Sequence, residues 1–264
     1  MADQPTSCAT MLSSIAAILS AIAWPGVVAW FLINNRIRIA DLLKVFGDKL
    51  SSAKKLRLGQ FELEEDLQEA ISEAGARVDE ADTSKTVPKN QRQAAENLKK
   101  KVIDSSIPKF EVLEAVGEQI YDLADQYEDV RAHMRSGAQR TRKMNEIAAG
   151  MRTLALAGLP LRTKLTRSEK VGHRLAAICM LQVEPRPRYF RWLIERLENE
   201  NQAFVLFQAA LALLELVKKR LYINVDETRS AISDAIAVIS AFKDGPPDQN
   251  TLDALNEALE LVRQ

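Results

Sequence analysis

The sequence contains few of the residues from which catalytic and metal sites are built. Its 264 residues include only two cysteines, Cys8 and Cys179, and two histidines, His133 and His173. Such distant cysteines exclude a CxxC motif and a disulfide framework, and two histidines cannot form a histidine-based zinc site without carboxylates. Glycine-rich phosphate loops and the HExxH and GxSxG motifs are also missing. We therefore expect no catalytic residue, no metal and no cofactor, and a protein that is not an enzyme.

Net charge is lacking as well. The 36 basic residues balance the 36 acidic residues, so the formal charge is zero and no overall field favours nucleic acid as a partner. The shortage of cysteine agrees with a reducing compartment for most of the chain. Local blocks of charge therefore carry more information than the total.

Charge is absent throughout residues 11–33, MLSSIAAILSAIAWPGVVAWFLI. These 23 residues are enough to cross a bilayer core of about 30 Å at about 1.5 Å per residue. The alternative is a cleaved signal peptide, but residues 1–10 contain no lysine or arginine, and signal peptides begin with positive charge. Residues 1–33 are therefore predicted to form a short external N-terminus and a transmembrane helix, kinked at Pro25.

Basic residues follow this run, and none precedes it. They are Arg36, Arg38, Lys44, Lys49, Lys54, Lys55 and Arg57. The positive-inside rule places them on the cytoplasmic side, where they would face anionic lipid headgroups. The prediction is a single-pass protein of the inner (cytoplasmic) membrane, with its N-terminus outside and its C-terminal domain in the cytoplasm. The lipid bilayer is then one of its partners.

Residues 54–65, KKLRLGQFELEE, alternate between apolar and charged side chains on both sides of Gly59. With Gly59 in a type II′ turn, Arg57 would face Glu62 across two antiparallel strands. The alternative is a helix that crosses the whole segment. We expect a β-hairpin here, within a segment of residues 34–82 that begins with a basic juxtamembrane helix and ends with an acidic helix.

The rest of the sequence has the periodicity of α-helices, so the predicted fold class is mainly α. The acidic helix carries an apolar stripe at spacings of three and four: Leu63, Leu67, Ile71, Ala74, Val78 and Ala81. That stripe could form a short coiled coil or pack on the body of the same chain. Residues 83–107 are predicted to be a linker, around Pro88, followed by a short helix. Residues 108–264 are predicted to be an α-helical domain.

Internal repetition begins at about residue 165. Ala176 and Ala177 recur 33 residues later as Ala209 and Ala210, each pair within an apolar helix face. Two-helix units of this period, with small residues where helices meet, resemble HEAT-type repeats.

The order of segments resembles bacterial single-span membrane proteins of anti-phage defence and signalling loci. The residues that carry this resemblance are KKLRLGQFELEE, SGAQRTRKM at 136–144 and the paired alanines. In that family a short strand pair follows the membrane anchor, and a helical module completes the chain. The resemblance implies an accessory or effector role at the inner membrane.

A cluster of basic residues surrounds the predicted helix junction at Ser136 and Gly137. It consists of Arg131, Arg135, Arg140, Arg142 and Lys143. Arginines beside a helix N-terminus favour an anion such as a phosphate, a nucleotide or a headgroup. Alternatively, the acidic residues at 111–129 could neutralise the cluster.

Together these features predict a membrane-anchored cytoplasmic protein that acts by binding a protein partner or a second copy of itself. One alternative is an oligomeric pore-forming effector, in which the small residues Ser14, Ala17, Ala21 and Gly26 line a helix interface. The other is an enzyme with an unrecognised site.

Overall fold

The computed structural model describes residues 61–78, 87–105, 107–222, 224–241 and 248–263. Within these ranges the chain forms ten α-helices and no β-strand. The helices are α1 (61–76), α2 (Lys89–Asp104), α3 (Lys109–His133), α4 (Ala138–Leu154), α5 (Arg162–Thr166), α6 (Val171–Val183), α7 (Phe190–Asn199), α8 (Ala203–Lys218), α9 (Val225–Ser240) and α10 (Gln249–Arg263). Short 3-10 turns at Leu159–Leu161 and Pro187–Tyr189 precede α5 and α7. The prediction of a mainly α fold is confirmed.

The predicted β-hairpin is wrong. Residues 61–65, which would be its second strand, belong to α1, and residues 54–60 lie outside the described residues. The physical reason is the longer pattern that begins at Leu63. Leu63, Leu67, Ala74 and Val78 are all buried at helical spacing, and this burial outweighs a two-residue alternation that spans only a few positions.

The predicted transmembrane helix is not among the helices described. Within the described ranges, none is long and apolar enough to cross a membrane. The run at 11–33 and the basic residues at 36–57 lie outside those ranges.

Helix α1 packs on the body of the same chain. Its buried Ala74, together with Val78 just after the helix, forms a small apolar cluster with Ala149 of α4. At its other end Lys101 Nζ lies 2.9 Å from Asp66 Oδ1, which ties α1 to the last turn of α2. The apolar stripe of the acidic helix is therefore buried within the chain and does not form a seam to another one.

Two helices begin directly after a proline. Pro88 precedes α2 and Pro108 precedes α3, each with φ near −55° and an extended ψ. Proline fixes φ and has no N–H, so it ends the preceding segment and starts the helix without a side-chain cap. This start places Phe110 on the outside of α3, where it is 69% exposed.

Helices α3 to α10 form four consecutive pairs in two layers. Helices α4, α6, α8 and α10 contact one another in that order and form the inner layer. Helix α3 packs on α4 and α6, α5 on α6, α7 on α8, and α9 on α7 and α10. Each inner helix therefore contacts its own outer partner and the inner helix of the next pair.

The paired alanines lie in the core between inner helices. Ala176 and Ala177 of α6 and Ala209 and Ala210 of α8 are at most 1% exposed, and α6 packs directly on α8. Side chains this small allow two helix backbones to approach each other closely.

The start of α6 touches the backbone of α3 at Gly172. A Cβ atom on this glycine would overlap the carbonyl oxygen of Ala124 and lie 2.9 Å from its carbonyl carbon. The N–H of Gly172 donates to Glu128 Oε1 over 2.7 Å, so the carboxylate of Glu128 caps α6 from the neighbouring helix. Only glycine fits this contact.

Candidate functional site

A cavity of about 250 Å³ lies where α3, α4, α8 and the start of α10 meet. Its lining residues are Arg131, Arg140, Thr141, Met144, Asn145, Ala203, Phe204, Phe207, Asp248 and Asn250. Two arginines on one side and two phenylalanines on another give it both a charged and an apolar wall. It is the cavity that contains members of the predicted basic cluster together with aromatic side chains.

The junction between α3 and α4 sets the position of the two arginines. Helix α3 ends at His133, and Gly137 stands before α4 with φ +152° and ψ 179°. Residues that have a Cβ atom rarely adopt this backbone conformation, so glycine is needed where the chain reverses. The reversal brings Arg131 of α3 and Arg140 of α4 to the same cavity.

Arg140 fixes this junction. Its Nη1 donates to the carbonyl oxygen of Met134 over 3.3 Å, and its Nη2 donates to Ser136 Oγ over 2.7 Å. Its Nε is buried and has no hydrogen-bond partner. The side chain is therefore held in place and still has one buried donor unused.

Arg131 is the less engaged of the two arginines. Among the described residues it donates no hydrogen bond and forms no ion pair, and its Nε is buried without a partner. The side chain is half-buried, so its charge is partly removed from water, and no described carboxylate forms an ion pair with it. A guanidinium in this position favours an anion close by.

The aromatic wall is held by the core. The ring of Phe204 packs against that of Tyr127, with 5.9 Å between the ring centroids. Tyr127 Oη donates to Gln202 Oε1 over 2.6 Å. Burial raises the pKa of Tyr127, which outweighs the opposing effect of the nearby Arg131, so this hydroxyl remains a neutral donor.

Among the described residues, Asp248 is the one acidic residue of the cavity lining, and it already has partners. Its Oδ2 accepts from the backbone N–H of Thr251 over 3.2 Å and also from Thr251 Oγ1. Asp248 is thus the N-cap of α10, a common role for aspartate. Its carboxylate caps the helix and keeps its charge, so the described lining has two guanidinium groups against one carboxylate.

The structure places two of the five predicted anion-binding residues at this cavity. Arg142 and Lys143 face another side of α4 and lie 3.4 Å and 2.9 Å from the carboxylate oxygens of Glu146. Arg135 is exposed and has no hydrogen bond or ion pair within the described chain.

Two of the acidic residues upstream have other partners. Asp125 lies 3.1 Å from Lys170, and Glu128 caps α6. In the part of the chain that the structure describes, no ion pair joins an acidic residue of α3 to Arg131 or Arg140.

A second polar group, which sequence patterns did not indicate, lies in the core. The guanidinium of Arg152 donates to the Oε1 atoms of Gln182, Gln91 and Gln208 over 2.6, 2.7 and 2.7 Å. Gln182 Nε2 also donates to Gln208 Oε1 over 2.9 Å. All four side chains are buried, so this polar centre joins α2, α4, α6 and α8. A glutamine inside each of two apolar runs, CMLQV and LFQAAL, is the signal that could have revealed it.

Reactive groups are otherwise scarce. No cluster of three or more metal-ligating side chains occurs within the described ranges. Cys179 is completely buried, and burial raises the pKa of its thiol to about 11, so it remains an unreactive core residue at neutral pH. Among the described residues, the cavity at Arg131 and Arg140 is therefore the best candidate for a ligand-binding site.

Comparison with protein-family models, with curated proteins and with solved structures gives no match.

Proposed function

We propose that this chain is an interaction protein whose helical module binds a protein partner or a second copy of itself. The observation that supports this best is the stacking of α3 to α10 in four pairs. Stacked helix pairs offer long surfaces made of many helices, and proteins built in this way commonly use those surfaces for binding.

Exposed apolar side chains suggest which surface is used. Phe61 of α1, Ile103 of α2 and Phe110 of α3 are each 67–69% exposed. Large apolar residues on the surface are often interaction sites when they occur together. These three belong to the first three helices, and the contact of Lys101 with Asp66 ties the ends of α1 and α2 together.

The test is to replace Phe61 and Phe110 by serine in the full chain. Because both side chains are exposed, the variant should fold like the parent and lose its partner. Cross-linking in the host cell, followed by mass spectrometry, would identify partner peptides, and light scattering of the purified protein would detect a second copy.

The matched control replaces Val225 and Val238, which are exposed on α9, by serine. We expect this control to keep the cross-links of the parent. Cross-links that persist in the phenylalanine variant, or that disappear equally in both variants, would contradict the choice of surface.

The membrane localisation is a further proposal, supported by the uncharged run at 11–33 and the basic residues after it. A reporter that works only in the cytoplasm, fused after residue 264, should be active in the membrane fraction. Deleting residues 11–33 should release the fusion into the soluble fraction. An active periplasmic reporter, or an N-terminus cleaved after the run, would show that the predicted topology is wrong.

The role in bacterial defence is proposed on the resemblance alone. One of its three sequence features, the strand pair, is helical at residues 61–65, so the support is now SGAQRTRKM and the paired alanines. The pore-forming alternative depends on Ser14, Ala17, Ala21 and Gly26, all outside the described residues. The described contacts give it no added support.

A further inference from the structure

We infer that the cavity between Arg131, Arg140, Phe204 and Phe207 binds a small organic anion, one that joins an aromatic ring to a phosphate or carboxylate group. This inference does not depend on the proposed protein–protein interaction. It rests on the charge, the size and the chemically divided lining of the cavity.

The positive charge of the cavity comes first from Arg131. Its side chain is half-buried and has neither a hydrogen bond nor an ion pair within the described chain, and Arg140 keeps an unpartnered buried Nε. Asp248 faces the same cavity, but Thr251 donates to its Oδ2 twice. Two guanidinium groups line this one cavity, and an anion bound there would balance their charge and accept charge-assisted hydrogen bonds.

The volume of the cavity limits the size of the ligand. Cavities that hold drug-sized molecules have volumes of about 300 to 1,000 Å³, whereas this cavity has about 250 Å³. That space suits one ring and one head group. A nucleotide would not be enclosed in this volume, and an inorganic phosphate would leave the apolar wall without a partner.

The cavity lining has an apolar part and a polar part, which match the ring and the anionic group of such a ligand. Phe204 and Phe207 are partly buried and present apolar surface, while Thr141, Asn145 and Asn250 add a hydroxyl and two amides. A ring against the phenylalanines would leave its head group toward the arginines. Arginine binds phosphate and carboxylate through two parallel hydrogen bonds, which a lysine cannot reproduce.

The experiment is titration calorimetry of the full chain with phenyl phosphate and with benzoate. We expect at least one of them to bind. Arg131→Gln should weaken that binding about tenfold or more, because a charge-assisted hydrogen bond is lost. Arg131→Lys should also weaken it, although the charge is kept. Since Arg131 has no partner within the described chain, both variants should melt like the parent.

Arg135→Gln is the matched control, because it removes the same charge from an exposed position of the same junction. It should leave binding within about twofold of the parent. The inference is overturned if neither probe binds, if Arg131→Gln binds as well as the parent, or if Arg135→Gln loses as much.

A second arm tests the aromatic wall with inorganic phosphate. Phenyl phosphate should bind more tightly than inorganic phosphate, and Phe207→Ala should remove that difference. Equal binding of the two probes by the parent would show that the cavity does not hold a ring and would overturn the inference. A melting curve of Phe207→Ala checks that the variant is folded.

Discussion

Replacing Arg152 by alanine is expected to destabilise the protein by about 4 kcal/mol, because the amide oxygens of Gln91, Gln182 and Gln208 lose their common donor. Each buried acceptor without a partner costs about 1 to 3 kcal/mol, and the space left by the guanidinium adds to the loss. Unfolding by urea, followed by circular dichroism, measures the change in the free energy of unfolding.

The matched control is Arg142→Ala, ten residues earlier on the same helix. Arg142 is exposed and lies 3.4 Å from Glu146. Exposed ion pairs contribute about 0 to 1 kcal/mol, so this change should have little effect. Equal losses in the two variants would mean that the polar centre does not stabilise the fold.

Replacing Gly172 by alanine is the second change with a large expected effect. The added Cβ would overlap the carbonyl oxygen of Ala124, so α6 would have to move away from α3. Overpacking commonly costs about 1 to 3 kcal/mol, and backbone on the other side of the contact cannot move aside as a side chain can. We expect a loss of about 3 kcal/mol, which lowers the melting temperature of a domain of this size by about 10 °C.

Gly75→Ala is a control that should leave the stability unchanged or raise it slightly. A Cβ at position 75 would lie 3.7 Å from Glu146 Cβ, an ordinary contact distance. Alanine favours a helix over glycine by up to about 1 kcal/mol, so this variant should melt at the same temperature or slightly higher. If Gly172→Ala behaved in the same way, α3 and α6 would not be in backbone contact.

Sequence periodicity was sufficient to predict a helix and its buried residues where one long pattern was present. The stripe from Leu63 to Val78 and the paired alanines at 176 and 209 are buried as their spacing indicates. Periodicity failed at 61–65, because these few alternating residues fit a strand, whereas the longer stripe from Leu63 to Val78 fits a helix. The packing of α1 on α2 and α4 settles the choice, and this packing depends on residues far along the chain.

The candidate site could be predicted only in part. Arg131 and Arg140 are nine residues apart, so a turn at Gly137 makes them neighbours in any helical reading. Phe204 and Phe207 come to the same cavity only because α8 passes beside the α3–α4 junction. Local patterns contain no information about such a contact, nor do they show that Glu146 pairs with Arg142 and Lys143.

The polar centre has a consequence for how the module unfolds. Stacked repeats generally melt unit by unit, since each unit interacts only with the next. Here the guanidinium of Arg152 on α4 donates hydrogen bonds to glutamines of α2, α6 and α8. Arg92 of α2 also forms an ion pair with Glu215 of α8 over 2.5 Å. Opening any one of the first three pairs would strand polar groups in the other two. We therefore expect the first three pairs to unfold together, because this hydrogen-bonded centre links them directly in addition to their apolar packing.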